Sequence, residues 1–271
     1  MSSIPLRASI RASNFAPLDE ASPQDCGGCS DGERLGFEFS FAYQPIVDLS
    51  GSGIYAHEAL VRGPAGEPAP TVLSQVNDAN RYRFDQACRV KAIKGAVQLG
   101  LTERLSINFL PNAVYRPEVC IRSTLAAARA HGFPIEKIIF ETTEGERVGD
   151  GAWYAKVMSE YQRIGFLTAI DDFGAGYAGL NLLAQFQPDV VKLDMELIRG
   201  IDTHAARQVI VAATVRMCRE LGILVIAEGI ETVGEMEFLR SAGVSLMQGY
   251  LFGRPSFQSL VAPESIPYLQ R

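Results

Sequence analysis

Eight apolar, strand-like runs follow one another from Phe39 onwards, and no other feature of the sequence constrains the fold as strongly. The first two runs are joined by SGSG, which is short enough for an antiparallel hairpin, whereas most later connections have room for a crossover helix. The runs read FSFAYQPIVDL, IYAHEALVR, LSINFL, KIIFETTE, FLTAIDDFG, DVVKLD, LVIAEGIE and LMQGYLFGRP. The helices predicted between them cover 82–99, 117–131, 150–164, 203–221 and 232–242.

This alternation of strands and helices predicts an α/β protein, a modified TIM (β/α)8 barrel with an antiparallel first strand. A chain of 271 residues, of which 47% are hydrophobic, is long enough to bury the core of one such barrel. Residues 1–36 are rich in Ser, Pro, Gly and Asp without apolar periodicity, so we predict a flexible leader there and a folded domain over 37–271.

Charge and hydropathy exclude several classes of partner. The formal net charge is -6 and no run of Lys or Arg occurs, which argues against binding to a DNA or RNA polymer. No stretch approaches the length of a membrane-spanning helix, and the first residues lack the continuous apolar segment of a signal peptide. The expected location is therefore the cytoplasm.

The five cysteines are too scattered for a disulfide framework. Only Cys26 and Cys29, in C-G-G-C, have a spacing typical of zinc or redox sites. No second pair of ligands and no nearby histidine completes a tetrahedral zinc site. The alternatives are a zinc or redox motif, a segment used in assembly, and a loop that happens to contain two thiols.

Polar side chains stand near the end of most of the apolar runs. Because the carboxyl ends of parallel barrel strands open at one mouth, we expect these side chains to converge there. Residues two apart share a strand face, as Ile139 and Glu141 do, and as Lys192 and Asp194 do. The converging residues are Glu58, Asn108, Glu141, Asp171, Asp172, Lys192, Glu228 and Gln248.

Five carboxylates at one mouth would repel one another unless a cation held them ionised. Their oxygen donors suit Mg²⁺ or Mn²⁺ and argue against zinc. The histidines agree, because His57 precedes Glu58 and faces the other way, while His131 and His204 lie in helical or turn context. The alternative for any single acid is a solvated residue at a strand end, but the repeated pattern favours a metal centre.

The segment TAIDDFGAGYAGLN, residues 168–181, allows a second interpretation. Gly174, Gly176 and Gly179 match the dinucleotide-binding pattern G-x-G-x-x-G, and Asp194 follows at the expected distance. Two aspartates directly before the loop would repel a pyrophosphate, however, and the connection to the next strand is cramped even for a short helix. We therefore favour a mobile loop beside metal-binding aspartates.

Several motifs occur together in a fixed order. Glu58-Ala59-Leu60 lies in HEALVR, and SINFL, FETTE, DDFGAGY, VKLD, AEGIET and QGYLFGRP follow. From about Phe41 to Pro255 the sequence resembles the EAL-domain family, the phosphodiesterases that cleave the bacterial second messenger cyclic di-GMP. The resemblance implies a modified TIM barrel and metal-dependent hydrolysis of cyclic di-GMP to linear pGpG.

The resemblance also implies roles for individual residues. Asp171 would be shared by two divalent ions, Mg²⁺ or Mn²⁺, that activate a water molecule. Lys192 would lie near that water, Gln248 at the same centre, and Glu144 would steady the glycine loop. With Glu58, these residues form the implied catalytic set. The implied metal ligands are Glu58, Asn108, Glu141, Asp171, Asp172 and Glu228.

The implied contacts to guanine or phosphate are Gln44, Leu60, Arg62 and Asp194. A guanidinium fork fits phosphate oxygens, although Arg62 could equally form an ordinary surface ion pair. Asp194 could accept hydrogen bonds from a guanine edge or orient Lys192. The family also implies a homodimer formed through helices near the glycine loop.

The loop departs from the family, because Ala175, Ala178 and Gly179 stand where Thr and Ser are commoner, which puts regulation in doubt more than chemistry. Two other functions stay open at this stage: a catalytically silent cyclic di-GMP receptor that acts through a protein partner, and a different metal-dependent phosphohydrolase on a similar barrel.

Overall fold

A closed barrel of eight strands forms the centre of the protein, as seen in a computed structural model that describes residues 35–51, 53–114, 116–143, 151–176 and 179–269. β1 pairs antiparallel with β2 and with β8, and the neighbours from β2 to β8 pair in parallel. The predicted modified TIM barrel with an antiparallel first strand is therefore confirmed. The Cys26–Cys29 pair, Glu144 and Ala178 lie outside the described residues.

The strands are short and follow the predicted runs closely. They are β1 (Ser40–Asp48), β2 (Gly53–Arg62), β3 (Arg104–Asn108), β4 (Ile138–Thr143), β5 (Leu167–Phe173), β6 (Val190–Leu193), β7 (Leu224–Ala227) and β8 (Leu246–Met247). A further short strand, β9 (Ser256–Phe257), pairs with β1 on the outside of the closed ring.

Helices surround the barrel. They are α1 (Ala69–Leu73), α2 (Arg81–Gln98), α3 (Pro117–Cys120), α4 (Arg122–His131), α5 (Gly151–Ile164), α6 (Gly179–Gln185), α7 (Met195–Ile198), α8 (Ala205–Leu221) and α9 (Val233–Ser241). Local signals set several ends: α9 begins with a capping box between Thr232 and Glu235, and α4 and α8 end at left-handed Gly132 and Gly222.

The length argument against a helix between β5 and β6 was wrong. α6 occupies that connection in seven residues, and β5 and β6 still pair in parallel. The strand, the glycine loop and the helix thus follow one another as in a dinucleotide-binding unit. The closed barrel and the two aspartates before Gly174 argue against a dinucleotide-binding site.

The barrel interior is layered by the two-residue period of its strands. Its apolar layer is Ile46, Ala56, Ile139, Ala169, Val190, Ile226 and Leu246. Two residues beyond the last six of these stand Glu58, Glu141, Asp171, Lys192, Glu228 and Gln248, so the polar layer lies directly above the apolar one at the carboxyl ends. Two larger apolar clusters lie among the barrel strands and the surrounding helices. The fold therefore places the polar side chains directly above a buried apolar layer.

Candidate active site

Lys192 lies at the centre of the polar layer and is completely buried. Its ammonium nitrogen is 2.7 Å from Glu228 Oε1, 3.0 Å from Glu141 Oε2, 3.1 Å from Asp171 Oδ1 and 3.5 Å from Glu58 Oε2. Carboxylates from four strands or strand ends therefore meet at one cation, as the position of these residues along the sequence predicts.

Two further side chains hold these carboxylates in place. Asn108 donates from Nδ2 to Glu58 Oε1 over 2.9 Å. Ser106 donates its hydroxyl to Glu141 Oε1 and is fully buried. The sequence interpretation missed Ser106, although its position two residues before Asn108 places it on the same strand face.

Asp171 and Asp172 are neighbours in sequence, and an ideal strand would point them to opposite faces. The backbone of Asp172 has φ 53°, in the left-handed region that few residues other than glycine adopt, and the register of β5 against β6 shifts at this point. The Asp172 N–H donates to Asp171 Oδ1 over 3.0 Å. This turn brings both aspartates to the same centre.

The carboxylates form two groups with spacings suited to metal ions. Glu58, Glu141 and Asp171 make one group, and Asp171, Asp172 and Glu228 make the other, with the ligand oxygens of each group within 4.8 Å of one another. Asp171 belongs to both groups. No histidine or cysteine takes part in either group. His57, which belongs to β2, is buried with both ring nitrogens unpaired among the described residues.

The electrostatics of the centre call for additional positive charge. Burial raises the pKa of Glu141 to about 8, against the opposing effect of Lys192. Burial raises the pKa of Glu228 well above its usual value, and Asp171 adds to the rise. Burial and then Asp171 raise the pKa of Asp172 to about 6. Burial lowers the pKa of Lys192, but the surrounding carboxylates outweigh it and raise that pKa well above its usual value.

The residues present fit a pair of divalent cations. Five ionised carboxylates against the single ammonium of Lys192 leave a formal charge of −4 at the centre, which two divalent ions would neutralise. All the donor atoms in the two groups are carboxylate oxygens, the ligands that Mg²⁺ and Mn²⁺ prefer. The acids alone would be costly to hold ionised in such a buried place.

A chain of amides links the centre to the neighbouring loop. Gln248 donates from Nε2 to Glu58 Oε2 over 2.8 Å and to Gln44 Oε1 over 3.2 Å. Gln44 in turn donates from Nε2 to the backbone oxygen of Gly253 over 3.1 Å. Gln44 and Gln248 are thus both buried at the mouth, and they tie β1 to the segment that follows β8.

Leu60 and Arg62 lie beyond Glu58 on the same face of β2 and are partly buried. Arg62 donates to the backbone oxygen of Val61 and forms no ion pair with any described residue. The alternative of an ordinary ion pair therefore finds no support within the described chain, and the guanidinium keeps donors for another acceptor.

Asp194 has a structural partner that was not predicted. Its Oδ1 accepts from the Glu196 N–H over 2.8 Å, so the side chain caps α7, directly after β6. It makes no hydrogen bond to Lys192 in the structure, which disfavours the orienting role considered for it. Glu144 lies outside the described residues, so its predicted role at the glycine loop stays a prediction.

The described helices include none that is both long and apolar enough to cross a membrane.

Comparisons with known proteins identify relatives along most of the chain. The family model described as EAL domain matches residues 34–255. The blue light- and temperature-regulated antirepressor BluF of Escherichia coli is 34% identical over 81% of the chain, which covers 55% of BluF. The cyclic di-GMP phosphodiesterase RocR of Pseudomonas aeruginosa is 28% identical over 80% of the chain, which covers 57% of RocR. The chain thus spans about half the length of these relatives.

Solved structures agree with the sequence comparisons. A standalone EAL protein of Vibrio cholerae with cyclic di-GMP bound is 53% identical, with a TM-score of 0.82, covering 84% of this chain and 97% of the other. A manganese and cyclic di-GMP complex of Klebsiella pneumoniae BlrP1 is 39% identical, with a TM-score of 0.78, covering 82% of this chain and 57% of BlrP1. Together with the barrel and its acidic centre, these matches establish that the chain belongs to the EAL domain family.

Proposed function

We propose that the protein hydrolyses cyclic di-GMP to linear pGpG with the help of two divalent metal ions, Mg²⁺ or Mn²⁺. The observation that carries the proposal is the arrangement of the carboxylates around the buried ammonium of Lys192. They form two sets of three residues, and Asp171 belongs to both sets. Two divalent ions so placed would supply an activated water molecule and neutralise charge on a phosphoryl group. The residues proposed to hold them are Glu58, Asn108, Glu141, Asp171, Asp172 and Glu228.

The chain's own residues have distinct tasks in this proposal. Lys192 holds the attacking water by hydrogen bonding, and its fixed position among the carboxylates keeps the donor aimed at the centre. Gln248 donates to Glu58 and so positions it, and the buried Oε1 of Gln248 has no hydrogen-bond partner among the described residues. Arg62 pairs with a phosphate oxygen of the substrate, for which a guanidinium fork is well suited.

The proposed guanine and phosphate contacts are Gln44, Leu60, Arg62 and Asp194, all near the mouth. Asp194 Oδ1 is already occupied by the cap of α7, so the contact to a guanine edge falls to its other carboxylate oxygen. Glu144 is proposed to steady the glycine loop. Cyclic di-GMP as the ligand is supported by the Vibrio cholerae and Klebsiella pneumoniae structures, both of which contain it.

The test is an incubation of the purified protein with cyclic di-GMP and Mn²⁺ or Mg²⁺, with and without EDTA, and with pGpG measured by chromatography. We expect metal-dependent pGpG from the wild type and none from Asp171→Asn. The matched control is Asp189→Ala, because Asp189 lies at the opposite end of the barrel and accepts from the Thr168 N–H over 2.9 Å. Product formed in EDTA, or by Asp171→Asn with metal present, would contradict the proposal.

A second candidate function is a catalytically silent cyclic di-GMP receptor that acts through a protein partner. The observation that favours it is the similarity to BluF, which is named as an antirepressor. The same incubation separates the two candidates, because a receptor binds cyclic di-GMP tightly, as calorimetry would measure, and yields no pGpG. The completeness of the acidic centre favours the phosphodiesterase.

We also propose that the protein forms a homodimer through the surface next to the glycine loop. The support is Leu180 on α6, which is 67% exposed and lies two residues after Ala178, the last residue of the loop before α6. A large exposed apolar side chain at this place suits a contact between copies. Light scattering of the wild type and of Leu180→Glu tests the proposal, with a monomeric wild type as the outcome against it.

A further inference from the structure

Arg89 of α2 is a charged side chain that is completely buried on the outer side of the barrel. Its Nη2 pairs with Asp85 one helical turn earlier, and its Nη1 donates to the Tyr161 hydroxyl over 3.1 Å. The guanidinium carbon lies 5.6 Å from the ring centroids of both Phe109 and Phe140 and 6.0 Å from that of Tyr161. An aromatic cage thus encloses the cation.

Two of the three rings of this cage are next in sequence to residues of the acidic centre. Phe109 follows Asn108, and Phe140 precedes Glu141. The Phe109 N–H also donates to the Glu141 backbone oxygen over 2.9 Å, which links the two strand ends directly. Because successive strand residues point to opposite faces, the outward rings and the inward ligands are connected by single peptide units.

Asp85 extends the same contact to the loop after β3. Its Oδ1 accepts from the Leu110 N–H over 2.9 Å while its Oδ2 pairs with Arg89. The backbone on the carboxyl side of Asn108 is therefore fixed by a buried carboxylate, which is itself fixed by Arg89.

A buried ion pair is weak evidence for a purely stabilising role, because proteins with apolar residues of similar volume at such positions are usually as stable or more stable. Among the described residues the Arg89 Nε–H finds no acceptor, so this pair is not arranged for maximal stability. A planar guanidinium, however, offers donors and stacking faces in a fixed geometry. It can set the orientation of three aromatic rings at once.

We propose that Arg89, with Asp85, is a positioning residue for the metal centre, acting through Phe109 and Phe140 on the ligands Asn108 and Glu141. The inference rests on the metal centre of the proposed function, whose ligands it would hold in register from outside the barrel. Loss of this support misplaces two ligands and weakens metal binding without removing any ligand.

The test compares Mn²⁺ affinity, measured by titration calorimetry on the EDTA-treated and desalted full chain, with stability in urea. Arg89→Lys keeps the charge and loses the planar fork. The double variant Asp85→Asn with Arg89→Met removes both charges, so no buried charge is left unpaired. Tyr161→Phe removes only the hydroxyl. The matched control Asp189→Ala breaks partly buried hydrogen bonds at the other end of the barrel.

We expect Arg89→Lys and the double variant to bind Mn²⁺ about tenfold more weakly than the wild type, as is usual when outer partners of metal ligands are lost. Tyr161→Phe should show a smaller loss, and Asp189→Ala should lose stability but keep wild-type affinity. Wild-type affinity in both Arg89 variants, or an equal loss in Asp189→Ala, would refute the positioning role.

The Mn²⁺ titration and the pGpG assay together separate this inference from the proposed function. A wild type that binds no Mn²⁺ refutes the metal centre and the positioning role together. A wild type that binds Mn²⁺ but releases no pGpG refutes only the phosphodiesterase, and weaker binding by Arg89→Lys then still supports the positioning role.

Discussion

Replacing Lys192 with Met is expected to destabilise the metal-free protein severely at pH 8. The ammonium is the one positive charge that contacts the described acidic centre, with four carboxylate oxygens between 2.7 and 3.5 Å away. Methionine has a similar length and volume, so the change removes charge and hydrogen bonds rather than packing.

The size of the effect follows from these contacts. Unit charges about 3 Å apart attract by roughly 5–6 kcal/mol at an effective dielectric constant of about 20, but burying the ammonium offsets much of this gain. Removing one partner of a buried pair costs about 3–5 kcal/mol, and we expect a loss in that range. The loss should shrink below pH 6, because the pKa of Glu141, raised by burial to about 8, leaves that carboxyl neutral there, and the raised pKa of Glu228 acts in the same direction.

Urea denaturation in EDTA at pH 8 and pH 5.5 measures this loss. Lys137→Met is the matched control, because Lys137 donates to the Thr102 backbone oxygen at the surface and its loss should change stability by less than about 0.5 kcal/mol. Mn²⁺ should stabilise Lys192→Met more than the wild type, since it replaces the missing charge. A loss below about 1 kcal/mol at pH 8 would refute the view that Lys192 is the compensating charge of the centre.

Three further predictions follow from the same geometry. The metal-free wild type should lose stability as pH rises from 4.5 to about 8, because the folded state holds a proton on Glu141 that the unfolded state releases near pH 4.5; urea denaturation in EDTA checks this. Asp171→Ala should bind no Mn²⁺ and Asp172→Ala one ion instead of two, counted by calorimetry, because only Asp171 belongs to both carboxylate groups. Gly249→Ala should lower stability by about 1–3 kcal/mol and abolish turnover, because the added Cβ collides with the backbone of Ile230; calorimetric melting and the pGpG assay measure both.

Each of these predictions has a specific control and a contrary result. Saturating Mn²⁺ should reverse the pH trend, and metal-free stability that increases over the window would contradict the assignment to Glu141. Equal stoichiometry in the two aspartate variants would contradict a shared ligand. Gly36→Ala is the control for the glycine, because a Cβ there meets no atom within 4 Å and should change stability little.

The sequence predicted the barrel and most of its polar layer because both depend on short-range patterns. Alternation of strand and helix identifies the fold, and the two-residue period locates inward residues such as Glu141 and Lys192 above Ile139 and Val190. The same period could have located Ser106, whose hydroxyl donates to Glu141, had every residue on that face of β3 been considered.

Other features depend on conformation that the pattern does not encode. Asp171 and Asp172 share a centre only because Asp172 adopts a positive φ. Two consecutive aspartates in a sequence do not predict this conformation. Asp194 caps α7, a helix of four residues too short for any periodicity to reveal. The spacing of Asp85 and Arg89 is typical of an exposed helical ion pair, and nothing in the sequence marks this pair as buried.

The barrel strands explain how a helix outside the barrel can act on a centre inside it. Glu141 faces inward and Phe140 outward, so any displacement of the ring beneath Arg89 moves the carboxylate through one rigid peptide unit. Asp189 has no such route, since it binds backbone and side-chain donors at the opposite end of the barrel. The buried Asp85 and the partly buried Asp189 are therefore expected to differ in function: loss of Asp85 should change metal affinity, and loss of Asp189 should change only stability.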